Sequence, residues 1–76
     1  MDNKEQKVLA VERTMTILEY LAQHGANNLS TISKDVKIHK STLFRFLHTL
    51  CSLGYVYKSN ETEYYSLTEK MNRFLN

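Results

Sequence analysis

Three residues, Lys37, Ile38 and His39, are all that separate two stretches of helical periodicity, and this short gap constrains the fold more than any other feature of the chain. After the gap, Leu43, Phe46, Leu47 and Leu50 recur on one face of a helix running from Lys40 to about Leu53. Before it, Ile32 and Val36, four apart, would face a core from a short helix capped by the Ser30 hydroxyl. Two helices joined by so few residues must cross at a steep angle, which is helix-turn-helix geometry over residues 30–53.

On the N-terminal side, Val8, Val11, Met15, Leu18 and Ala22, with Thr14 and Leu21 beside them, mark the apolar face of a first helix over residues 8–24. Gly25 sits where a left-handed cap would end it, and Ala26, Asn27 and Asn28 follow as turn residues. Gly54 closes the third helix, and the composition then turns to β-formers: Tyr55, Val56 and Tyr57, a polar stretch from Ser59 to Thr62, then Tyr64, Tyr65, Ser66 and Leu67. This predicts a hairpin over residues 55–67. An isolated hairpin is marginal in water, so it must lay one face, with Val56, Tyr65 and Leu67, against the helices as a wing. Thr68 would cap a last helical segment over residues 69–76, in which Met71, Phe74 and Leu75 recur at helical spacing. The expected fold is mainly α with a small β-hairpin: a winged helix-turn-helix, one domain over residues 1–76, since 76 residues leave room for one core.

Several function classes drop out. Cys51 is the only cysteine, so neither an internal disulfide nor a four-cysteine zinc site can form. His24, His39 and His48 lack metal-ligand spacing, no glycine-rich phosphate loop exists, and His48 with Cys51 has no third group to orient a base. No catalytic residue, metal or cofactor is therefore expected. The start, MDNKEQK, is polar and is followed by no apolar run long enough for a signal peptide or a membrane span, so a cytoplasmic setting is the default.

Net charge is only +2, but it is uneven. Residues 34–48 hold Lys34, Lys37, Lys40 and Arg45 against Asp35 alone, which fits either a solvated basic face or a surface for a polyanion. The third helix adds chemistry to that charge. Opposite its apolar face stand Ser41, Arg45, His48 and Ser52, with Phe44 at the border. Lys40, Ser41 and Thr42 at its start offer an ammonium, two hydroxyls and free amides to phosphates and base edges, or else serve simply as caps. Arg45 has the planar fork that pairs with guanine O6 and N7. Phe44 either meets a thymine methyl or a deoxyribose, or turns back onto the hairpin as peripheral core. In the wing, Lys58 and Asn60 are candidate backbone contacts, although Glu61 and Glu63 beside them would repel phosphate.

The stretch KSTLFRFLHTLCSLGYVYKSNETEYYSL, from Lys40 to Leu67, resembles the DNA-binding domain of the IclR family, regulators named after the isocitrate lyase repressor. The family pattern is carried by Lys40 to Thr42, Arg45, Leu47 and Leu50, Gly54 to Val56, and Tyr65 with Leu67; Ala10, Arg13, Ile17 and Leu18 of the first helix also fit. FRFLHTLCSLGYV followed by YYSLTEK is most similar to the branch controlling pectin and ketodeoxygluconate breakdown. The resemblance implies a transcription regulator that binds a palindromic double-stranded operator as a dimer or tetramer. It also implies that the N-terminal helix helps dimerisation, and that a C-terminal domain, absent from this chain, binds a small-molecule effector. The chain departs from the family where Lys37 stands in place of a frequent glycine. A left-handed lysine costs about 1–2 kcal/mol, so either the turn differs or a phosphate contact by Lys37 compensates.

Two readings follow. In the first, helix three enters the major groove, with the Ser30–Thr31 end of helix two on the DNA backbone and the wing alongside. In the second, the domain is a protein-interaction or dimerisation module, with Leu9 and Tyr20 on the outer side of helix one as a homodimer contact or as scattered surface apolarity.

Overall fold

The computed structural model describes residues 7–75; the expectations placed on residues 1–6, on the Leu75 side chain and on Asn76 lie outside the described part. The elements follow in the order α1 (Leu9–His24), α2 (Leu29–Val36), α3 (Lys40–Leu53), β1 (Val56–Lys58), β2 (Tyr65–Leu67) and α4 (Glu69–Leu75). The strands pair antiparallel in the register Val56↔Leu67, Tyr57↔Ser66 and Lys58↔Tyr65. This is a helix-turn-helix with a wing, as the spacing predicts.

The core gathers one stripe from each helix and the inner face of the wing. Ile17, Ile32, Leu43 and Leu47 are wholly buried, and Tyr20, Leu21, Ile38, Leu50, Val56 and Tyr65 complete the cluster. Along α3 the expected face is the buried one, with Phe46 half-buried at its edge. Along α1 it is only in part. Leu21 is buried and Leu18 packs against the core, but Val8, Val11, Met15 and Ala22 are exposed, and the helix buries Ile17 and Tyr20 beside Leu21. Residues 17, 20, 21 and 24 form a second stripe at the same helical spacing, and burying Tyr20 becomes affordable because its hydroxyl finds two partners. Tyr20 is thus not on the outer side of α1 and, at 7% exposure, offers little surface to a second copy.

The turns also correct the sequence reading. Asn28, not Ser30, caps α2: its side-chain oxygen accepts from the Thr31 amide at 2.8 Å, and Ser30 lies exposed inside the first turn. Asn28→Ala should therefore lower stability by about 1 kcal/mol, whereas Ser30→Ala should change it little. Equal losses in urea denaturation would contradict this assignment. Gly25 ends α1 at φ 78°, ψ −164°, a positive-φ conformation outside the left-handed helical well that was expected. Its N–H donates to the Leu21 carbonyl at 2.9 Å.

Lys37 settles the question its position raised. It takes the left-handed conformation, φ 61° and ψ 42°, and its N–H donates to the Ser33 carbonyl at 2.9 Å, so the turn is the one glycine usually makes. Ile38, inside the interruption, is buried, and its carbonyl accepts from the Ser33 hydroxyl at 2.5 Å. Removing the Cβ at Lys37 relieves about 1–2 kcal/mol of strain, and the extra freedom of glycine in the unfolded chain returns roughly 0.5–1 kcal/mol of it. Lys37→Gly should then stabilise the domain by up to about 1.5 kcal/mol, read as a higher urea midpoint. A lower midpoint would mean that the lysine side chain contributes more than its backbone strain costs.

The base of the wing is fastened to the helices at several points. The Tyr55 N–H donates to the Leu50 carbonyl at 3.0 Å, the Thr68 hydroxyl to the Gly54 carbonyl at 2.6 Å, and the Lys70 ammonium to the Leu53 carbonyl at 2.9 Å, which occupies open acceptors at the end of α3. Thr68 also caps α4, weakly, accepting from the Met71 amide at 3.4 Å. Met71 is buried, but Phe74 is exposed, with an edge contact to Tyr55.

Candidate nucleic-acid interface

A solvent-facing surface runs across α2, α3 and the wing. On α3, Lys40, Ser41, Phe44, Arg45, His48 and Ser52 are exposed, while Thr42 is half-buried. Buried Leu43, Leu47 and Leu50 fix the rotation of the helix, so the opposite side chains have to point outward. The helix start is organised by a residue that sequence reasoning passed over: His39 is its N-cap, and its Nδ1 accepts from the Ser41 amide at 3.4 Å and lies 3.2 Å from the Ser41 hydroxyl. A long cap of this kind leaves the first-turn amides and the Ser41 hydroxyl accessible to an anion.

Between α2, α3 and the wing lies a groove of about 430 Å³ lined by Ser30, Leu29, Phe44, Lys58, Glu63 and Tyr64, among others. Ser30, Phe44 and Lys58, expected at one surface from distant parts of the sequence, therefore border the same cleft. Phe44 is 46% exposed and stacks on His48, with ring centroids 6.2 Å apart, so it belongs to the outer face rather than folding away as peripheral core. Thr31 is half-buried, its amide taken by Asn28. Asn60 is exposed in the wing turn. That turn is held by the Ser59 hydroxyl oxygen, which accepts from the Glu61 and Thr62 amides at 3.3 Å each, and by a left-handed Glu63 at φ 63°. Lys37 borders a different cleft, between α1 and α2, with Thr16, Glu19, Gln23 and Asp35. The structure does not bring it to the α3–wing groove.

The charges on this surface are unpaired. Among the described residues the ion pair is Lys7 with Glu12 at 3.6 Å, so the cations of Lys40, Arg45 and Lys58 have no carboxylate partner there. The one acid between Ser30 and Leu53, Asp35, accepts from the Tyr20 hydroxyl at 2.6 Å. That hydrogen bond, with burial, pushes the Tyr20 hydroxyl above its ordinary pKa. Cys51 is half-buried, and desolvation pushes its thiol up, away from the reactive thiolate.

Residues 10–59 match the model of the IclR helix-turn-helix domain. The chain is 38% identical over 71 residues to the HTH-type transcriptional regulator KdgR of Dickeya chrysanthemi, covering 93% of this chain and 23% of that protein. It thus spans about a quarter of the length of the curated relatives it matches. Among solved structures, Pseudomonas aeruginosa HmgR superposes with a TM-score of 0.81 at 29% identity, over 88% of this chain and 28% of that one. The Zalpha domain of Carassius auratus PKZ, solved in complex with Z-DNA, superposes with a TM-score of 0.75 at 29% identity, over 80% of this chain and all of that one. With residues 10–59, more than half of the chain, matching the family's model, this chain belongs to the IclR helix-turn-helix family.

Proposed function

We propose that the domain recognises a double-stranded operator by placing α3 in the major groove, with the Ser30 end of α2 on the sugar-phosphate backbone and the wing alongside. The observation that carries this reading is the continuous surface on which Ser30, Phe44 and Lys58 share one groove next to the unpaired Lys40 and Arg45. Arg45 and His48 face the bases; Lys40, Ser41, Thr42 and Lys58 hold phosphates; Thr31 and Asn60 add peripheral backbone contacts. Phe44 packs on a thymine methyl or a deoxyribose. In the full regulator a second copy would supply the other half-site of a palindrome, with exposed Leu9, beside Val8 and Val11, as part of the contact between copies. Any response to a small molecule would belong to chain outside these residues. The setting is cytoplasmic and the role is binding rather than catalysis.

The likeness to a domain solved with Z-DNA favours a second reading, recognition of left-handed duplex by the same face. The two separate in one experiment. Amide NMR of the 76-residue chain is followed on adding a mixed-sequence B-form duplex or a duplex held in the Z form, at low salt and again after raising it. The proposal expects the B-form duplex to shift amides from Lys40 to His48 and around Asn60. With about four cations engaged, affinity should fall roughly a hundredfold between 50 and 200 mM salt. Shifts with the Z-form duplex alone would transfer the function to the second reading. No response to either duplex, with shifts of α1 amides on raising protein concentration, would make the domain an association module.

A further inference from the structure

The wing is anchored differently at its two ends. At its base, several hydrogen bonds tie Tyr55 and Thr68 to the end of α3. Toward its tip, the attachment is through Tyr65, the first residue of β2, which pairs on one side with Lys58 and on the other with Asn27. The Asn27 bridge is a double one: its N–H donates to the Tyr65 carbonyl at 3.1 Å, and the Tyr65 N–H donates to the Asn27 carbonyl at 2.7 Å. Lys58 extends from the far side of that same residue, its ammonium 5.6 Å from the centre of the Tyr65 ring.

Asn27 lies in the connection between α1 and α2, where a backbone segment of this kind is free to drift unless side chains hold it. Its Nδ2 donates to the Tyr20 hydroxyl at 3.2 Å, and that hydroxyl donates in turn to Asp35 Oδ2 on α2 at 2.6 Å. The Tyr20 ring, stacked on His24 at 4.3 Å, would be buried equally well as phenylalanine. Its hydroxyl has no packing role, and its partners belong to the two segments that flank the wing's far attachment. The same bond keeps the sole acid of the helix-turn-helix at the cleft between α1 and α2, away from the groove that Lys58 and Phe44 border.

We propose that Tyr20 is a positioning residue for DNA binding: its hydroxyl locks Asn27 to Asp35, and Asn27 through Tyr65 sets where the wing and Lys58 stand relative to α3. This rests on the reading in which the wing touches DNA. The coupling runs through contiguous hydrogen bonds from Tyr20 to Asn27 to Tyr65, with Lys58 as the group displaced when they fail.

The test compares Tyr20→Phe, Lys58→Ala and the double variant in the 76-residue chain. In Tyr20→Phe, the Asn27 and Tyr65 amides should exchange with solvent roughly three- to tenfold faster relative to the Leu47 amide, as expected for a lost local hydrogen bond. On B-form duplex, Tyr20→Phe and Lys58→Ala should each lower the salt slope by about one, and the double variant should bind no more weakly than Lys58→Ala alone. Uniform acceleration of the Asn27, Tyr65 and Leu47 amides, or additive affinity losses, would overturn the proposal. A Lys58→Ala variant with unchanged affinity would overturn it as well, by removing the wing contact it rests on, a failure seen without touching Tyr20. Should Tyr20→Phe not fold, Asn27→Ala removes the donor to the hydroxyl while keeping the backbone bridge, and the same exchange pattern is required of it.

Discussion

Leu47→Ala should destabilise the domain by about 2–5 kcal/mol, the range for deleting a wholly buried leucine side chain whose surroundings relax only in part. Leu47 is 0% exposed in a cluster that joins Ile17 of α1, Ile32 of α2 and Val56 of the wing. A chain of this size has a total stability of roughly 4–11 kcal/mol, so the substitution removes a large share of it. Urea denaturation should show a much lower midpoint at an unchanged slope, or an unfolded chain at 37 °C. A loss under about 1 kcal/mol would mean that the three helices and the wing do not share one core at this residue. Leu9→Ala, on an exposed side chain, serves as the control and should lie within about 0.5 kcal/mol of the parent.

The second large effect concerns recognition. Arg45→Ala should weaken binding to the preferred duplex by about 1–3 kcal/mol and relax preference at one base pair, because a guanidinium paired with guanine O6 and N7 discriminates as well as attracts. Lys40→Ala should instead weaken all duplexes by similar factors and lower the salt slope by about one, as the loss of a phosphate contact does. Both side chains are exposed on α3 and lack carboxylate partners among the described residues, so neither change should cost much stability. Fluorescence anisotropy on a panel of single-base variants separates the two. Equal losses for Arg45→Ala on every duplex would reassign that residue to the DNA backbone.

The reading of α3 was secure in the sequence because its leucines allow only one apolar stripe; once that face is buried, Arg45 and His48 must point outward. In α1 two stripes compete, and hydrophobicity alone favours the one with Val8, Val11 and Met15, which the fold leaves exposed. The winning stripe contains a tyrosine, and it wins because Asp35 and Asn27 satisfy its hydroxyl, partners that no local pattern announces. Capping shows the same limit at shorter range. Asn28 and Ser30 are both good cap residues, and the choice depends on where the chain leaves Tyr65, to which the neighbouring Asn27 is bonded.

The element order, the helix-turn-helix with its wing, the buried face of α3 and the family are legible in the residues, because they follow from periodicities and short gaps, which act between residues close in the chain. Packing between distant segments fixes which residues of α1 are buried, that Lys37 accepts a left-handed turn, and that Ser30, Phe44 and Lys58 share a groove while Lys37 borders another. It also fixes the link from Tyr20 through Asn27 to the wing. Each of these depends on partners distant in sequence, because the free energy of burying a polar group is fixed by the group it meets and not by its neighbours along the chain.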